Sequence, residues 1–341
     1  MKAIVYEQYG SPDVLEFKEI ATPAPADDEV LVKVYAASVN TLDRAGLSGP
    51  LFARPMIGGL LKPKYKILGS DIAGRVEAAG RDVKQFRPGD EVFGAKNWFG
   101  GRRLGGFAEY VCAVEEELAL KPANISFEQA AAVSVAGLTA LQGLRDKGRI
   151  RPGQKVLVDG ASGGVGTFAV QIAKSFGAEV TAVCSTRNVE TARSIGADHV
   201  IDYKREDFTW SGQGYDLILA ANGHRSIFAY RRALRRDGIY VMVGGGLFQI
   251  LQALLLGPLL SLMGSKKMCM VMAKLSKEDL VVLGELLGAG KVIPVIDRRY
   301  PLSGVAEAFR YLEAEHARGK VVIDVALGDG AQKAATPDRD S

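Results

Sequence analysis

Apolar and polar residues alternate in short runs over the first third of the chain, at Glu29 to Ala36, Asp71 to Ala79, Glu91 to Gly94 and Phe107 to Val114. A period of two sends successive side chains to opposite faces, so each run predicts a strand with one buried side. Turn formers such as Arg87-Pro88-Gly89-Asp90 separate the runs, and Met1 to about Lys121 reads as β-rich and barrel-like. Beyond Ser126 the period changes, and Phe127 to Asp146 carries helical spacing. Strands and helices then alternate: Lys155 to Asp159, a helix at Val165 to Phe176, Glu179 to Cys184, and a helix at Val189 to Ile195. Further strands fall at His199 to Asp202, Tyr215 to Ala220 and Gly238 to Val243. Such alternation with short connections predicts a doubly wound parallel sheet covered on both faces.

From about Lys291 the text returns to turns and short strands, with a helix at Val305 to Glu315 and a strand at Lys320 to Ala326. The expected division is a barrel-like domain over 1–125, a nucleotide-binding domain over 126–290, and a return to the first domain over 291–328. The small polar residues 329–341 predict a disordered tail. At 341 residues, with 48% hydrophobic and 24% charged residues, the chain can bury two real cores.

The net charge of +4 is spread along the sequence and is densest at Arg231, Arg232, Arg235 and Arg236, which are expected on one solvated helix face. Nucleic-acid binding is not expected from so local a cluster. Cys112, Cys184 and Cys269 stand far apart without a CxxC pair, so neither a disulfide framework nor a zinc ribbon is expected. That cysteine usage fits a reducing cytoplasm, and the alternating start Lys2-Ala3-Ile4-Val5-Tyr6 lacks the charged head and apolar core of a targeting segment.

Leu247 to Gly264 is nearly uncharged and almost long enough to cross a bilayer, but Gly257-Pro258 breaks it and strands of one sheet flank it. A pocket wall or subunit contact is the first reading, a peripheral membrane contact the second, and a span the last.

The strongest local signal is Gly160-Ala161-Ser162-Gly163-Gly164-Val165-Gly166, between a short apolar strand and an amphipathic helix. A pyrophosphate needs backbone N–H groups at a helix N-terminus and approaches closely only where side chains are missing, here at Gly163 and Gly164. Gly166 lets helix and strand pack tightly, while Ala161 departs from the G-x-G-x-x-G pattern. About twenty residues on, where an NAD site offers a carboxylate to the ribose, the sequence reads Cys184-Ser185-Thr186-Arg187-Asn188. Hydroxyls and a guanidinium suit the 2′-phosphate of NADPH. The plain alternative is that Arg187 only opens the next helix in solvent.

A catalytic zinc needs thiolate and imidazole ligands, yet the first domain holds only Cys112 and no histidine, and His199, His224 and His316 lie scattered in the second half. No metal is therefore expected. Conjugate reduction fits a metal-free site, because charge from the incoming hydride spreads into an enolate, or into a phenolate when the acceptor is a quinone.

These features resemble the medium-chain dehydrogenase/reductase superfamily, in its zinc-free quinone oxidoreductase branch, from Met1 to about Leu327. The resemblance rests on Met1 to Val5, Ala37-Ser38-Val39-Asn40, Leu68 to Gly74, Arg87 to Val92, Gly106 to Tyr110, Ala136 to Ala140, Ala161 to Gly166, and Ala314 to Val322. It implies a GroES-like barrel domain joined to a Rossmann domain. Asn40 then replaces a cysteine ligand of zinc-dependent relatives, and Ser70-Asp71 replaces a histidine and a glutamate.

By the same resemblance Asn40 would hydrogen-bond the substrate oxygen or the ribose, and Thr139 would sit by the nicotinamide carboxamide. Ala161, Ser162, Gly163, Gly164 and Val165 would hold the pyrophosphate, and Ser185, Arg187 and Tyr203 the 2′-phosphate. Asn222, Gly244, Gly245 and Gly246 would touch the coenzyme, and Lys320 would serve coenzyme and catalysis. Two departures follow: Ala45 stands where many relatives carry a tyrosine, leaving the proton donor unassigned, and Gly49 to Lys66 reads as an insertion.

The expected activity is NADPH-dependent, zinc-independent reduction of a small apolar quinone or enone. The alternatives are a non-catalytic NADPH-binding or sensing protein of the same fold and, more weakly, an alcohol dehydrogenase. The resemblance also implies a homodimer joined through edge strands, with Lys267 to Ala273 as the candidate edge.

Overall fold

The computed structural model describes residues 1–49, 59–96, 105–314 and 317–326. Most of the Gly49 to Lys66 segment's first half, His316 and the tail over 329–341 lie outside the described residues. In chain order the strands are β1 (Lys2–Val5), β2 (Glu16–Glu19), β3 (Glu29–Val39), β4 (Asp71–Ala79), β5 (Glu91–Ala95), β6 (Tyr110–Val114) and β7 (Leu118–Leu120). They continue as β8 (Lys155–Asp159), β9 (Glu179–Cys184), β10 (His199–Asp202), β11 (Tyr215–Ala220), β12 (Leu234–Met242), β13 (Lys267–Met270), β14 (Ile296–Pro301) and β15 (Lys320–Asp324). The helices are α1 (Thr41–Ser48), α2 (Phe127–Ala131), α3 (Ser134–Gln142), α4 (Gly164–Ser175) and α5 (Val189–Ser194). Then come α6 (Ile227–Ala233), α7 (Leu247–Leu262), α8 (Lys277–Gly288) and α9 (Val305–Ala314).

The chain forms two compact units. One comprises the described residues of Met1–Ser134, Arg298–Glu315 and Val321–Ser341, and the other those of Val135–Asp297 and His316–Lys320. The first is built on a sheet of order β14-β15-β3-β4-β5-β7, with β6 paired to β3. Strand β3 is its spine, paired antiparallel with β15, β4 and β6. Val30, Val32 and Val34 are buried from its alternating half, and Phe107 meets Phe309 edge to face at 6.0 Å.

The second unit carries a six-stranded sheet of order β10-β9-β8-β11-β12-β13, with every pairing parallel. The order reverses between β8 and β11, where an open α/β sheet has its ligand crevice outside the strand ends. The central strands β8 and β11 are buried along nearly their whole length, as their near-continuous apolar runs require.

One sequence expectation fails here. Arg231 and Arg232 end helix α6, whereas Arg235 and Arg236 already belong to β12. Ser226 caps a helix of only seven residues, and Arg235 turns to Asp216 at 3.2 Å, so the four arginines share no helix face.

Candidate functional site

In the second unit the chain leaves β8 through Gly160, whose φ of +81° is left-handed and whose neighbour Asn222 leaves no room for a Cβ. Helix α4 then begins at Gly164, with Gly163 as an N-cap that supplies no side-chain hydrogen bond. Two glycines of this loop do different work. A Cβ on Gly166 would stand 2.0 Å from the Gly160 carbonyl oxygen, so that residue is dictated by packing. A Cβ on Gly163 would meet only the Gly160 oxygen at 3.6 Å, so the fold leaves the space in front of it open. Uncapped first-turn amides behind an open glycine make an anion cradle, and a coenzyme diphosphate fits it.

Lys320 belongs to this same unit and is 3% exposed. Its stem crosses the helix start, with Cδ 3.1 Å from where a Gly164 Cβ would lie, and its N–H donates to the Val295 carbonyl at 2.8 Å. The cradle thus has a lysine chain along one side.

Beyond β9, Ser185 precedes a single helical turn at Thr186–Asn188. Asn188, which the sequence reading missed, is buried and ties the two predicted loops together. Its Nδ2 donates to Ser162 Oγ at 3.0 Å and to Ser185 Oγ at 3.1 Å, while its Oδ1 has no hydrogen-bond partner. Arg187 and Tyr203 lie exposed at the same strand ends, and the Tyr203 N–H donates to the Cys184 carbonyl. Thr186 Oγ1 donates to Asp202 at 2.6 Å, and that hydroxyl chiefly holds the Asp202 carboxyl below its ordinary value.

At the reversal between β8 and β11, the Ala221 and Asn222 N–H groups both donate to the Asp159 carbonyl. Gly223 N–H donates to the Gly244 carbonyl, Gly245 bridges back to Gly223, and Gly246 caps α7, so the predicted Gly244, Gly245 and Gly246 form one connected edge with Gly223. Beneath it Tyr230 Oη donates to the buried Asp159 carboxyl at 2.5 Å. Burial pushes that carboxyl up to about 6, against the lowering pull of Tyr230, His224 and Arg225. Thr139 Oγ1 donates to the Val135 carbonyl one helical turn back at 2.7 Å.

In the first unit Asn40 is the N-cap of helix α1 in a capping box, and its N–H donates to the Asp43 carboxylate at 2.8 Å. Its Nδ2 donates to Asp71 Oδ2 at 2.9 Å and reaches the Ser38 carbonyl at 3.5 Å. A carboxylate only accepts, so the Asn40 amide nitrogen must face Asp71 and its oxygen must face away. Ser38 Oγ donates to the same Asp71 oxygen, and Ser70 Oγ donates to Asp43 Oδ1. All five side chains are buried. The sequence named Asn40 and Ser70-Asp71 but missed Ser38 and Asp43, although the Asn-x-x-Asp spacing from Asn40 to Asp43 is a capping signal.

Amide, hydroxyl and carboxylate groups bound to one another are not a zinc donor set. Among the described residues no group of three or more histidine, cysteine, aspartate or glutamate side chains is placed to hold a metal ion. The 490 Å³ cavity on the first unit, lined by Lys2, Lys33, Tyr35 and Glu109 among others, includes none of these residues.

A barrel-like unit and a parallel sheet with an uncapped glycine loop at its first strand define a dinucleotide-dependent oxidoreductase. Residues 26–123 match the model of the alcohol dehydrogenase GroES-like domain, and residues 195–323 match that of the zinc-binding dehydrogenase family. Quinone-oxidoreductase QR1, chloroplastic, of Triphysaria versicolor is 34% identical over 95% of this chain and 98% of its own length. The NADPH-dependent alkenal/one oxidoreductase, chloroplastic, of Arabidopsis thaliana is 35% identical over 95% of this chain and 79% of its own. The crystal structure of Escherichia coli quinone oxidoreductase complexed with NADPH superposes with a TM-score of 0.78 at 27% identity, covering 95% of this chain and 100% of that one.

The chain belongs to the medium-chain dehydrogenase/reductase superfamily, in its quinone oxidoreductase branch, and is an NAD(P)-dependent oxidoreductase. The expectation of a cytoplasmic setting is overturned, because both of these curated relatives are chloroplastic proteins. Scattered cysteines and an opening strand pattern, on which that expectation rested, report the redox chemistry of the thiols and how β1 folds, and not an address.

Proposed function

We propose that this protein is an NADPH-dependent reductase of quinones and α,β-unsaturated carbonyls that works without zinc. The observation that carries this reading is the open, uncapped start of α4 at Gly163, with Ser162 and Ser185 drawn together beside it by Asn188. The names of the relatives, a quinone oxidoreductase and an alkenal/one oxidoreductase, support the same acceptor classes.

When bound, NADPH supplies hydride from its nicotinamide ring. The N–H groups of Gly164 and Val165 receive the diphosphate, with Ala161 and Ser162 shaping the turn before them. Lys320 adds positive charge along the cradle and limits access to it. Ser185, Arg187 and Tyr203 receive the 2′-phosphate, where a guanidinium forms strong charge-assisted bonds. Thr139, its hydroxyl hydrogen given to Val135, presents an oxygen that accepts from the carboxamide. Asn222, Gly244, Gly245 and Gly246 let the coenzyme approach backbone closely.

Asn40 would hydrogen-bond the substrate oxygen or the ribose, held in place by the bond from its amide nitrogen to Asp71. Zinc-free chemistry suits this cluster, because an enolate or phenolate spreads its charge and needs no Lewis acid. Strand β13 lies at the sheet edge, which supports the joining of two copies there.

Steady-state assays with 1,2-naphthoquinone and 2-alkenals, run with NADPH and with NADH, test the reading. Turnover favouring NADPH, by protein that contains no zinc by inductively coupled plasma analysis, is expected. NADPH binding without oxidation across that panel overturns it in favour of a sensing protein, and activity that chelators abolish and zinc restores favours an alcohol dehydrogenase.

A further inference from the structure

Helix α7 has two apolar faces with different surroundings. Ala253 and Gly257 are buried, and Ile250, Leu256 and Leu260 pack on the core cluster that includes Tyr230, Tyr240 and Met268. Phe248, Leu251, Leu255, Leu259 and Leu262 follow the three- and four-residue spacing of one helix face, and all are exposed, Leu255 to 67% and Leu262 to 85%. At about 1.5 Å per residue, the stripe from Phe248 to Leu262 is about 21 Å long. Single exposed leucines are ordinary, but a contiguous stripe of this length marks a contact surface.

Charge selects the occupant. From Gly238 to Ser276 the sequence contains Lys266, Lys267 and Lys274 and not one aspartate or glutamate. At the C-terminal end of α7, Arg231 Nη2 reaches the Met263 carbonyl at 3.5 Å, and Lys266 Nζ donates to the Arg231 carbonyl at 2.8 Å. Arg231 Nε is buried without a hydrogen-bond partner. Burial, and then the neighbouring Arg231, pull the Lys266 ammonium below its ordinary value, so cations at this corner outnumber its carboxylate Asp237, whose N–H donates to Ser265 Oγ at 3.1 Å. A second copy docked through the same face would bring the same excess of lysines, with Asp237 at its border, leaving most of those charges unanswered. Anionic lipid headgroups answer them while acyl chains cover the leucines.

We propose that α7 lies in the plane of an anionic bilayer, its Phe248-to-Leu262 stripe among the acyl chains and Arg231, Lys266 and Lys267 at the headgroup phosphates. The helix lies on the membrane rather than through it: among the described residues no helix is long and apolar enough to cross. The contact would place a reductase at the surface where apolar acceptors are dissolved.

Flotation of the full-length chain with phosphatidylcholine vesicles, and with vesicles of two parts phosphatidylcholine to one part phosphatidylglycerol, tests this. Binding to the anionic vesicles is expected to exceed binding to the neutral ones about tenfold or more and to weaken with salt, as a few cations near a charged surface require. The triple variant Leu251→Glu, Leu255→Glu, Leu259→Glu is expected to abolish it. Lys266→Ala with Lys267→Ala is expected to reduce it and flatten its salt dependence. Far-UV circular dichroism verifies folding, and the single change Leu262→Glu, at an exposed helix end, provides a second, milder probe expected to weaken binding. No binding to anionic vesicles, or binding that survives the triple variant, overturns the proposal. So does absent vesicle binding accompanied by light scattering in which Leu255→Glu converts a dimer to a monomer, which assigns the stripe to a second copy.

Discussion

The polar groups around Asn40 and the loop between β8 and α4 are both dense in hydrogen-bonding atoms, yet they are closed in opposite ways. Ser38, Asn40, Asp43, Ser70 and Asp71 answer one another inside their own unit, donor for acceptor, with all five side chains buried. The glycine loop keeps its first-turn amides uncapped and the space before Gly163 open. Satisfied networks hold a fold in one arrangement, whereas groups left without internal partners are positioned for something that arrives from outside. The first cluster should therefore report mainly in stability and the second mainly in binding.

The largest effect expected is that of Gly166→Ala, whose Cβ has backbone at 2.0 Å and nowhere to go. A loss of about 3 kcal/mol or more is expected from forced overpacking, read by urea unfolding. Asp71→Ala comes next, because it strips the acceptor from both Ser38 and Asn40. Two buried donors left without that acceptor should cost about 2–4 kcal/mol, with a smaller loss of coenzyme affinity per folded molecule because Asn40 loses its anchor. A stable Asp71→Ala protein would break the proposed contrast.

Asp159 sits between the two behaviours, being buried yet directly beneath the loop. Its carboxyl is raised from 3.8 to about 6, so ionisation is disfavoured in the folded state. The sign follows: its favourable contribution is fully present below about pH 4 and is lost as pH rises through about 6. Asp159→Asn keeps an acceptor for Tyr230 and removes the charge. Relative to wild type, the variant should gain up to about 3 kcal/mol between about pH 4 and about pH 8, measured by thermal unfolding across that range.

Arg187→Ala should weaken NADPH binding about 10- to 100-fold and leave NADH unchanged, the difference being one charge-assisted contact. Equal losses for both coenzymes in calorimetric titration would remove Arg187 from the 2′-phosphate. Smallest is Gly163→Ala, which should leave the unfolding midpoint alone while weakening either coenzyme about tenfold by filling the approach. It sharpens the comparison because its methyl meets only the Gly160 oxygen at 3.6 Å.

Some of this was legible because it is local. Gly160 to Gly166 reads as a phosphate loop from strand, glycines and helix in immediate succession. Other parts depend on distant pairings. Ser38 faces Asp71 only through the antiparallel register of β3 and β4, 33 residues apart in the chain. Tyr230 meets Asp159 across 71 residues, and Asn188 meets Ser162 across 26. Two chain sections that never appear together in a reading window carry no shared local signal.

Periodicity and backbone permissiveness by themselves determined the two architectures and the position of the glycine loop between β8 and α4, since each follows from neighbours in the chain. Tertiary structure alone decided which way the Asn40 amide faces, which glycine is held by packing and which is left open, and which stripe of α7 remains bare. Those outcomes turn on what stands opposite a residue in space, and a chain that folds back on itself chooses that partner through register and packing rather than through proximity in sequence.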